Sequence, residues 1–317
     1  MYKVIFMGTP DFAVSALNCL IASPDYDVCL AVSQPDKPVG RKQVLAPTPV
    51  KAAATAGGVE VYQPNSLRTD EAYEKLLSYS PDFIVVAAYG KILPQRVLDI
   101  PKYGCVNLHG SLLPKYRGSA PIQRCVINGE RVTGITTMLM DAGVDTGDML
   151  LKSETEIGEN ETAGELFDRL AAMCPDILLK TLSGIVGGEI TPVKQDSSKM
   201  TLAPMLDKNE AVIDWTADAD SIHNKARGMD PWPVARTVFD GKLLKIFSVR
   251  TANDISVKGE PGTVCVKNGS IYVACGSGTS AELIEVQLEG AKRMSAADFL
   301  RGHANADGSV LGVKNAQ

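Results

Sequence analysis

Asn107 and His109 are the pair of side chains in this sequence best suited to chemistry on a carbonyl group. They lie at the end of a short apolar run, residues 105–108, that predicts a strand. Because side chains alternate along a strand, the two residues project to the same face. An amide donor beside an imidazole could bind a carbonyl oxygen and stabilise the charge that develops on it during acyl transfer. The alternative is a structural role, as a buried histidine and a turn-forming asparagine.

Two loops could complete a site around this pair. Gly110, the apolar residues 111–114 and Gly118 would let the backbone approach a flat ligand closely. A second loop, residues 140–148, follows another predicted strand and carries Asp145. Its carboxylate could hold His109 in the charged form or in the correct tautomer. The alternative for Asp145 is the capping of a glycine-rich turn.

The elements that must position these residues alternate between short apolar strands and helical patterns, which is typical of βαβ units on a parallel sheet. The first strand leads through Gly8 into an amphipathic helix that begins near Asp11. Such sheets bind their ligands at the carboxyl ends of the strands, which is where Asn107 and His109 stand. The predicted strands span residues 4–7, 28–32, 59–62, 83–88, 105–108 and 135–140.

The second part of the chain has a different pattern. Residues 189–207 lack a clean period and carry two prolines and a polar cluster, which predicts a linker. Short strands broken by Gly, Asn and Asp follow, with a hairpin turn at residues 267–270. We therefore predict a catalytic domain over 1–188, a linker over 189–207 and a small OB-like β-barrel over 208–317. The predicted strands of the barrel span residues 242–249, 262–266, 270–274 and 281–286.

Composition narrows the classes of protein to consider. The chain has 317 residues, enough for two ordinary cores, and its apolar stretches are far shorter than the roughly 20 residues of a membrane span. The apolar block at the start is too short for a secretory signal, so we expect a cytoplasmic protein. Seven singly scattered cysteines indicate neither a disulfide framework nor a metal site. A net charge of -5 argues against indiscriminate nucleic-acid binding but allows a local basic face.

Asn107, His109 and Asp145, with the Ser-Leu-Leu-Pro loop between them, resemble the folate-dependent formyltransferase family. The resemblance implies a Rossmann-like catalytic domain that uses 10-formyltetrahydrofolate as formyl donor, with no metal and no covalent enzyme intermediate. It implies that Asn107 binds the formyl oxygen and that His109 stabilises the tetrahedral oxyanion. Asp145 would support His109 and assist proton removal from the amine. The folate-binding residues that it implies are Ser111, Leu112, Leu113, Pro114, Tyr89, Gly90, Lys91, Ile92 and Leu93.

The catalytic residues do not distinguish among members that formylate a purine precursor, an amino-sugar nucleotide or a charged tRNA. Purine-pathway members resemble only the first domain, whereas here the resemblance covers nearly the whole chain. Residues 34–51 also resemble the loop with which the tRNA-specific members enter the acceptor stem. Lys37, Arg41 and Lys42 would contact phosphate there. We therefore expect a monomer that formylates charged initiator tRNA, methionyl-tRNA. A solvated basic loop, an amino-sugar nucleotide as substrate and a formyl-tetrahydrofolate hydrolase remain the alternatives.

Two readings from other classes are weaker. A nucleotide-binding oxidoreductase would need further glycines after Gly8, and residues 9–12 do not supply them. An RNA-binding module without catalysis would leave the polar residues at positions 107, 109 and 145 unexplained. In the second domain, Lys242, Lys245 and Arg250 could form a basic stripe or an ordinary solvated face. We expect Trp232 to serve packing before RNA contact, and His223 and His303 to be non-catalytic.

Overall fold

The computed structural model describes residues 1–39 and 44–312. The chain divides into two compact units. Unit 1 comprises Met1–Pro121, Val132–Glu156 and Phe167–Pro204, and unit 2 comprises Ile122–Arg131, Ile157–Leu166 and Met205–Gln317. Most of the segment predicted as a linker therefore groups with unit 1, and two short earlier segments group with unit 2. The functional domain boundaries stay a proposal.

The described residues of unit 1 build a sheet of order β5-β2-β1-β6-β7-β8-β9 and a separate hairpin, β3 and β4. The strands are β1 (Tyr2–Gly8), β2 (Tyr26–Val32), β3 (Lys37–Val39), β4 (Val44–Ala46), β5 (Val61–Tyr62), β6 (Phe83–Ala87), β7 (Cys105–His109), β8 (Val132–Leu139) and β9 (Met149–Glu156). The helices up to residue 186 are α1 (Val14–Ala22), α2 (Pro49–Ala56), α3 (Asp70–Ser78), α4 (Gln95–Leu98), α5 (Pro121–Ile127) and α6 (Ala163–Val186).

The central strands β6 and β7 are buried along their whole length. Strands that are covered on both faces read as continuous apolar runs, and for this reason the sequence predicted them well. From β5 to β7 all pairs are parallel, as predicted. The carboxyl ends of these strands therefore lie at one edge of the sheet, where Asn107 and His109 were expected to act.

Strands β8 and β9 depart from this pattern. The strand predicted over 135–140 forms as β8, but it runs antiparallel to β7, with Thr136 opposite His109. A pattern of buried side chains carries no information on strand direction, so the sequence could not distinguish the two arrangements. Strand β9 was not predicted, although Lys152, Glu154 and Glu156 alternate with less exposed residues along it. That period of two was the available signal.

Helix α6 begins at a capping box. The Thr162 hydroxyl oxygen accepts a hydrogen bond from the Glu165 amide at 3.2 Å, and the Glu165 carboxylate accepts one from the Thr162 amide at 2.8 Å. The helix then continues past Pro175 to Val186. No helix in residues 1–39 or 44–312 has the length and apolar character that crossing a membrane requires.

Unit 2 contains an antiparallel sheet whose described strands have the order β10-β11-β14-β13-β12, with β15 on β14. The predicted turn lies between β12 and β13, where Asn268 and Gly269 both have positive φ. The four predicted strands are confirmed, β10 was missed, and closure of the sheet into a barrel stays a prediction. The elements are α7 (Ala219–Gly228), β10 (Arg236–Phe239), β11 (Lys242–Thr251), β12 (Val264–Lys267), β13 (Ser270–Ala274), β14 (Ser280–Leu288), β15 (Met294–Ser295) and α8 (Ala296–Gly302).

Candidate active site

Strand β7 brings Asn107 and His109 to the edge of the sheet with 8% and 5% of their surfaces exposed. Within the described ranges, the Asn107 side-chain amide makes no hydrogen bond. Its polar atoms are nevertheless not among those sealed from solvent. Because buried polar groups are normally paired, an amide in this position is available to a ligand.

His109 is oriented through both ring nitrogens. Its Nε2 lies 2.9 Å from the backbone carbonyl oxygen of Tyr116, and its Nδ1 lies 3.6 Å from Oδ2 of Asp145. A carbonyl oxygen can only accept, so Nε2 carries the proton and donates it there. Nδ1 is therefore the nitrogen that faces the carboxylate. The distance is too long for a hydrogen bond, so the carboxylate faces the ring without a direct bond to it.

Asp145 is held on two sides. Its Oδ2 accepts a hydrogen bond from the Gly118 amide at 2.8 Å, and its backbone carbonyl accepts one from Nε2 of Gln195, also at 2.8 Å. The residue has a φ of 52°, a left-handed conformation that is uncommon for a non-glycine residue and that its surroundings must maintain. Gly118 has a φ of 125°, and a Cβ there would lie 2.7 Å from the Ala203 carbonyl oxygen. A glycine is therefore required where the loop donates to Asp145.

The loop of residues 111–114 is tied to strand β8. The Thr136 hydroxyl accepts from the Leu113 amide at 3.1 Å and donates to the Ser111 carbonyl at 2.7 Å. Ser111 and Leu113 are fully buried, and Leu112 and Pro114 are partly exposed. The sequence did not single out Thr136, and its position opposite His109 could not be known without the antiparallel pairing of β8.

The predicted folate loop, Tyr89 to Leu93, divides into buried and exposed residues. Tyr89 and Leu93 belong to the core, whereas Ile92 is 58% exposed. Gln34 donates to the Tyr89 carbonyl at 2.9 Å, and Gly90 follows with a φ of 79°. Lys91 donates to two carbonyl oxygens, and a cavity of ≈ 260 Å³ lies beside it.

The Tyr89 hydroxyl is the buried side-chain polar atom for which the described part of the chain offers no hydrogen-bond partner. Burial raises the pKa of this phenol from its usual 10.0 to about 12. The group is therefore neutral near pH 7, and it keeps a proton that it can donate. A sealed hydroxyl of this kind is one that an internal water could complete.

The predicted tRNA loop is a hairpin of β3 and β4. Lys37 is exposed at its start, and Arg41 and Lys42 lie outside the described residues. The base of the hairpin is fixed by Asp36, whose carboxylate accepts from Lys51 Nζ at 2.6 Å and from Gln63 Nε2 at 2.7 Å. These hydrogen bonds, first from Gln63 and then from Lys51, lower the pKa of Asp36 below its usual 3.8.

In unit 2 the structure excludes the basic stripe, one of the two alternatives left open, and leaves Trp232 half exposed. Lys242 and Lys245 are an odd number of residues apart, and no register shift interrupts the strand between them. The two side chains therefore point to opposite faces of the sheet, and no single basic stripe forms. Trp232 is 50% exposed, and the buried tryptophan is instead Trp215, which donates to Thr237 at 3.1 Å. A proline on each side of Trp232 takes it out of the regular elements that build the core.

The two other histidines have structural partners. His223 contacts the carbonyl oxygens of Val249 and Glu159 at 2.6 and 2.9 Å. His303 stacks on Phe299 with ring centroids 4.1 Å apart. Within the described ranges, no group of three or more His, Cys, Asp or Glu side chains is placed to hold a metal ion.

Comparison with known proteins assigns this geometry to a class. The formyl transferase family model matches residues 2–182, and the model of the formyl transferase C-terminal domain matches residues 205–304. The methionyl-tRNA formyltransferase of Citrifermentans bemidjiense is 49% identical over 316 residues, which are 99% of this chain and 98% of that relative. The enzyme of the same name from Clostridium novyi is 50% identical over 311 residues, covering 98% of this chain and 99% of the relative. The chain therefore belongs to the formyl transferase family, among the methionyl-tRNA formyltransferases.

Solved structures agree on the fold. The sugar 3N-formyl transferase WlaRD, solved with dTDP and 5-N-formyl-THF, has a TM-score of 0.67 at 18% identity, and the match covers 92% of this chain and 99% of that chain. HypX from Aquifex aeolicus, in complex with tetrahydrofolic acid, has a TM-score of 0.58 at 16% identity, covering 95% of this chain and 47% of that chain. The formyltransferase fold expected from the sequence is confirmed.

Proposed function

We propose that this protein transfers the formyl group of 10-formyltetrahydrofolate to the amino group of initiator methionyl-tRNA, for the start of protein synthesis. The observation that carries the proposal is identity of about half, over nearly the full length of both chains, to enzymes named for this reaction. At this identity the amino-sugar nucleotide enzyme and the formyl-tetrahydrofolate hydrolase are not favoured.

The roles proposed for the three polar residues fit their surroundings. The unpaired amide of Asn107 donates to the formyl oxygen, and a proton on Nδ1 of His109 stabilises the oxyanion that forms when the amine attacks. Asp145, which faces Nδ1, supports His109 and accepts a proton from the attacking amine. The new bond joins the formyl carbon to the amine, the bond to N10 of the folate breaks, and N10 takes up a proton.

Reduced folate is proposed to lie between the loop of residues 111–114 and the loop of Tyr89 to Leu93. Both loops are held by side chains behind them, Thr136 in one case and Gln34 in the other, so that their backbone groups keep fixed positions. A flat pteridine requires such preformed walls.

The tRNA is proposed to bind through the β3–β4 hairpin with Lys37, Arg41 and Lys42, and through the C-terminal domain. The assignment of residues 1–188 to catalysis, 189–207 to a connection and 208–317 to tRNA binding belongs to this proposal. So do a monomeric state and a location in the cytoplasm, where charged tRNA is used. Since Lys242 and Lys245 face opposite ways, tRNA contact through a single face of β11 is not part of it.

One assay tests the proposed function. The protein is incubated with 10-formyltetrahydrofolate labelled in the formyl group, together with methionyl-tRNA, an amino-sugar nucleotide or no acceptor. Label should appear on methionyl-tRNA and on neither the sugar nor free formate. Preferential labelling of the sugar nucleotide, or rapid formate release without acceptor, would replace the proposal by the corresponding alternative.

A further inference from the structure

Arg117 is a buried cation beside the candidate active site that takes no part in the proposed formyl transfer. It is 7% exposed, and the backbone on both sides of its side chain is fixed. Its amide donates to the Thr201 carbonyl at 2.9 Å, and its carbonyl accepts from the Ala203 amide at 2.7 Å. The fold therefore fixes the backbone from which this side chain extends.

Within the described ranges, only the Nε atom of that guanidinium makes a hydrogen bond. Nε donates to Oε1 of Gln195 at 2.9 Å, and within the described ranges the two terminal nitrogens have no partner. No Asp or Glu oxygen of those ranges lies within 4.0 Å of them. The terminal nitrogens are also not among the buried atoms sealed from solvent. The outer edge of the group thus meets an opening, while its stem is buried.

Gln195 links this cation to the reacting centre. The same side chain that accepts from Arg117 donates through Nε2 to the carbonyl oxygens of Asp145 and Gly147, both at 2.8 Å. The residue after Arg117 donates to the Asp145 carboxylate. Two successive hydrogen bonds through Gln195 therefore connect the guanidinium group of Arg117 to the loop that carries Asp145.

An unpaired buried charge is costly unless a ligand completes it, and a planar fork with several donors suits a phosphate or a carboxylate. The carboxylates of formyl-tetrahydrofolate are at the glutamate end, separated from N10 by an aromatic ring. The phosphate of the terminal adenosine of tRNA is separated from the esterified amino acid by a single ribose. Of the two kinds of anion, the phosphate is therefore the one that must lie close to the attacking amine.

We propose that Arg117 binds the phosphate of the terminal nucleotide of the acceptor end and so places the amino group at Asp145. The inference depends on the proposed function, because it assumes a charged tRNA as substrate. Arg117 acts in binding and positioning, and it takes no part in proton transfer.

The first test compares Arg117→Gln and Arg117→Lys with the matched control Lys194→Gln, which removes one exposed charge from the neighbouring segment. Arg117→Gln should raise the KM for methionyl-tRNA roughly tenfold, with an unchanged KM for 10-formyltetrahydrofolate. Arg117→Lys should recover part of the loss. The slope of tRNA affinity against salt should fall by about one for Arg117→Gln.

The second test uses two small acceptors, the 3′-methionyl esters of AMP and of adenosine, as competitors of methionyl-tRNA. The native protein should bind the AMP ester roughly tenfold more tightly, and Arg117→Gln should bind the two equally. Because both esters are tested on the same protein preparation, partial unfolding of a variant cancels in the ratio of their two affinities.

The outcomes separate this inference from the function beneath it. A native protein that fails to formylate methionyl-tRNA refutes the proposed function. A native protein that formylates it while Arg117→Gln keeps the native preference for the AMP ester refutes only the phosphate contact. A rise in the KM for folate alone would show that Arg117 binds the folate carboxylates. An effect of Lys194→Gln equal to that of Arg117→Gln would show that only the overall surface charge matters. Both results contradict the inference.

Discussion

The two regions of unit 1 proposed to meet the two substrates are held to very different degrees. At the end of β7, His109 donates to the Tyr116 carbonyl, and in the facing loop Asp145 accepts hydrogen bonds from Gly118 and Gln195. The β3–β4 hairpin is fixed at its base by Asp36, while Val44 and Leu45 on its second strand are 61% and 64% exposed. Bond making requires preorganised groups, whereas contact with a large nucleic acid requires an exposed surface, and each region has the property that its proposed role needs.

The largest effect should come from the tightly held region. We expect His109→Ala to lower turnover by roughly a hundredfold or more, because the oxyanion loses its hydrogen-bond donor. Binding of tRNA and thermal stability should change little. Rapid-quench measurement of one turnover, with both substrates saturating, checks this. Near-native turnover would show that His109 is only a structural residue.

The sequence predicts residues that meet through local geometry and misses those that meet through contacts distant along the chain. The roles expected at β7 were read from residues two positions apart on one strand, where local geometry decides which side chains meet. Thr136 and Gln195 could not be found in this way, because they reach the site through an antiparallel pairing and through a segment that resembled a linker. Lys242 and Lys245 were grouped by charge before the register that separates them was known.

The hairpin should give the next largest effect, specific to tRNA. Arg41 lies outside the described residues. We expect Arg41→Ala to lower kcat/KM for methionyl-tRNA by roughly tenfold or more, because a phosphate contact is lost. Arg41→Lys should restore only part of it, because lysine lacks the fork. Steady-state assays across salt concentrations provide the measurement. If Arg41→Ala behaves normally at every salt concentration, the hairpin is merely a solvated surface.

Gln195 tests whether the rigidity around Asp145 matters for catalysis. Gln195→Glu keeps an acceptor for Arg117 but replaces the donors to the Asp145 and Gly147 carbonyls by a carboxylate. We expect turnover to fall by about tenfold with little change in the KM for folate, because the loop that positions Asp145 is loosened. Ser198→Ala, in the exposed part of the same segment, is the control and should be native-like. Equal turnover in the two variants would remove Gln195 from the positioning of Asp145.

The smallest effect concerns the hairpin base and its dependence on pH. The folded-state pKa of Asp36 lies below 3.8, so its contribution to stability is present above that pH and is lost as the pH falls through the lowered value. Asp36→Asn should therefore reduce the melting temperature by a constant small amount between about pH 5 and 8. The difference should shrink below about pH 4. A difference that grows on acidification would contradict the assigned contact.

The most direct measurement of the central claim, direct formyl transfer at the end of β7, is a single turnover followed with label in the formyl group of 10-formyltetrahydrofolate. The protein is mixed with labelled donor and methionyl-tRNA, quenched at short intervals, and separated into folate, protein, tRNA and formate. We predict that label passes from folate to methionyl-tRNA in a single phase, with none retained on the denatured protein, and that this phase is lost in Asn107→Ala. Label trapped on the protein, or released as formate before it reaches the tRNA, would contradict the account.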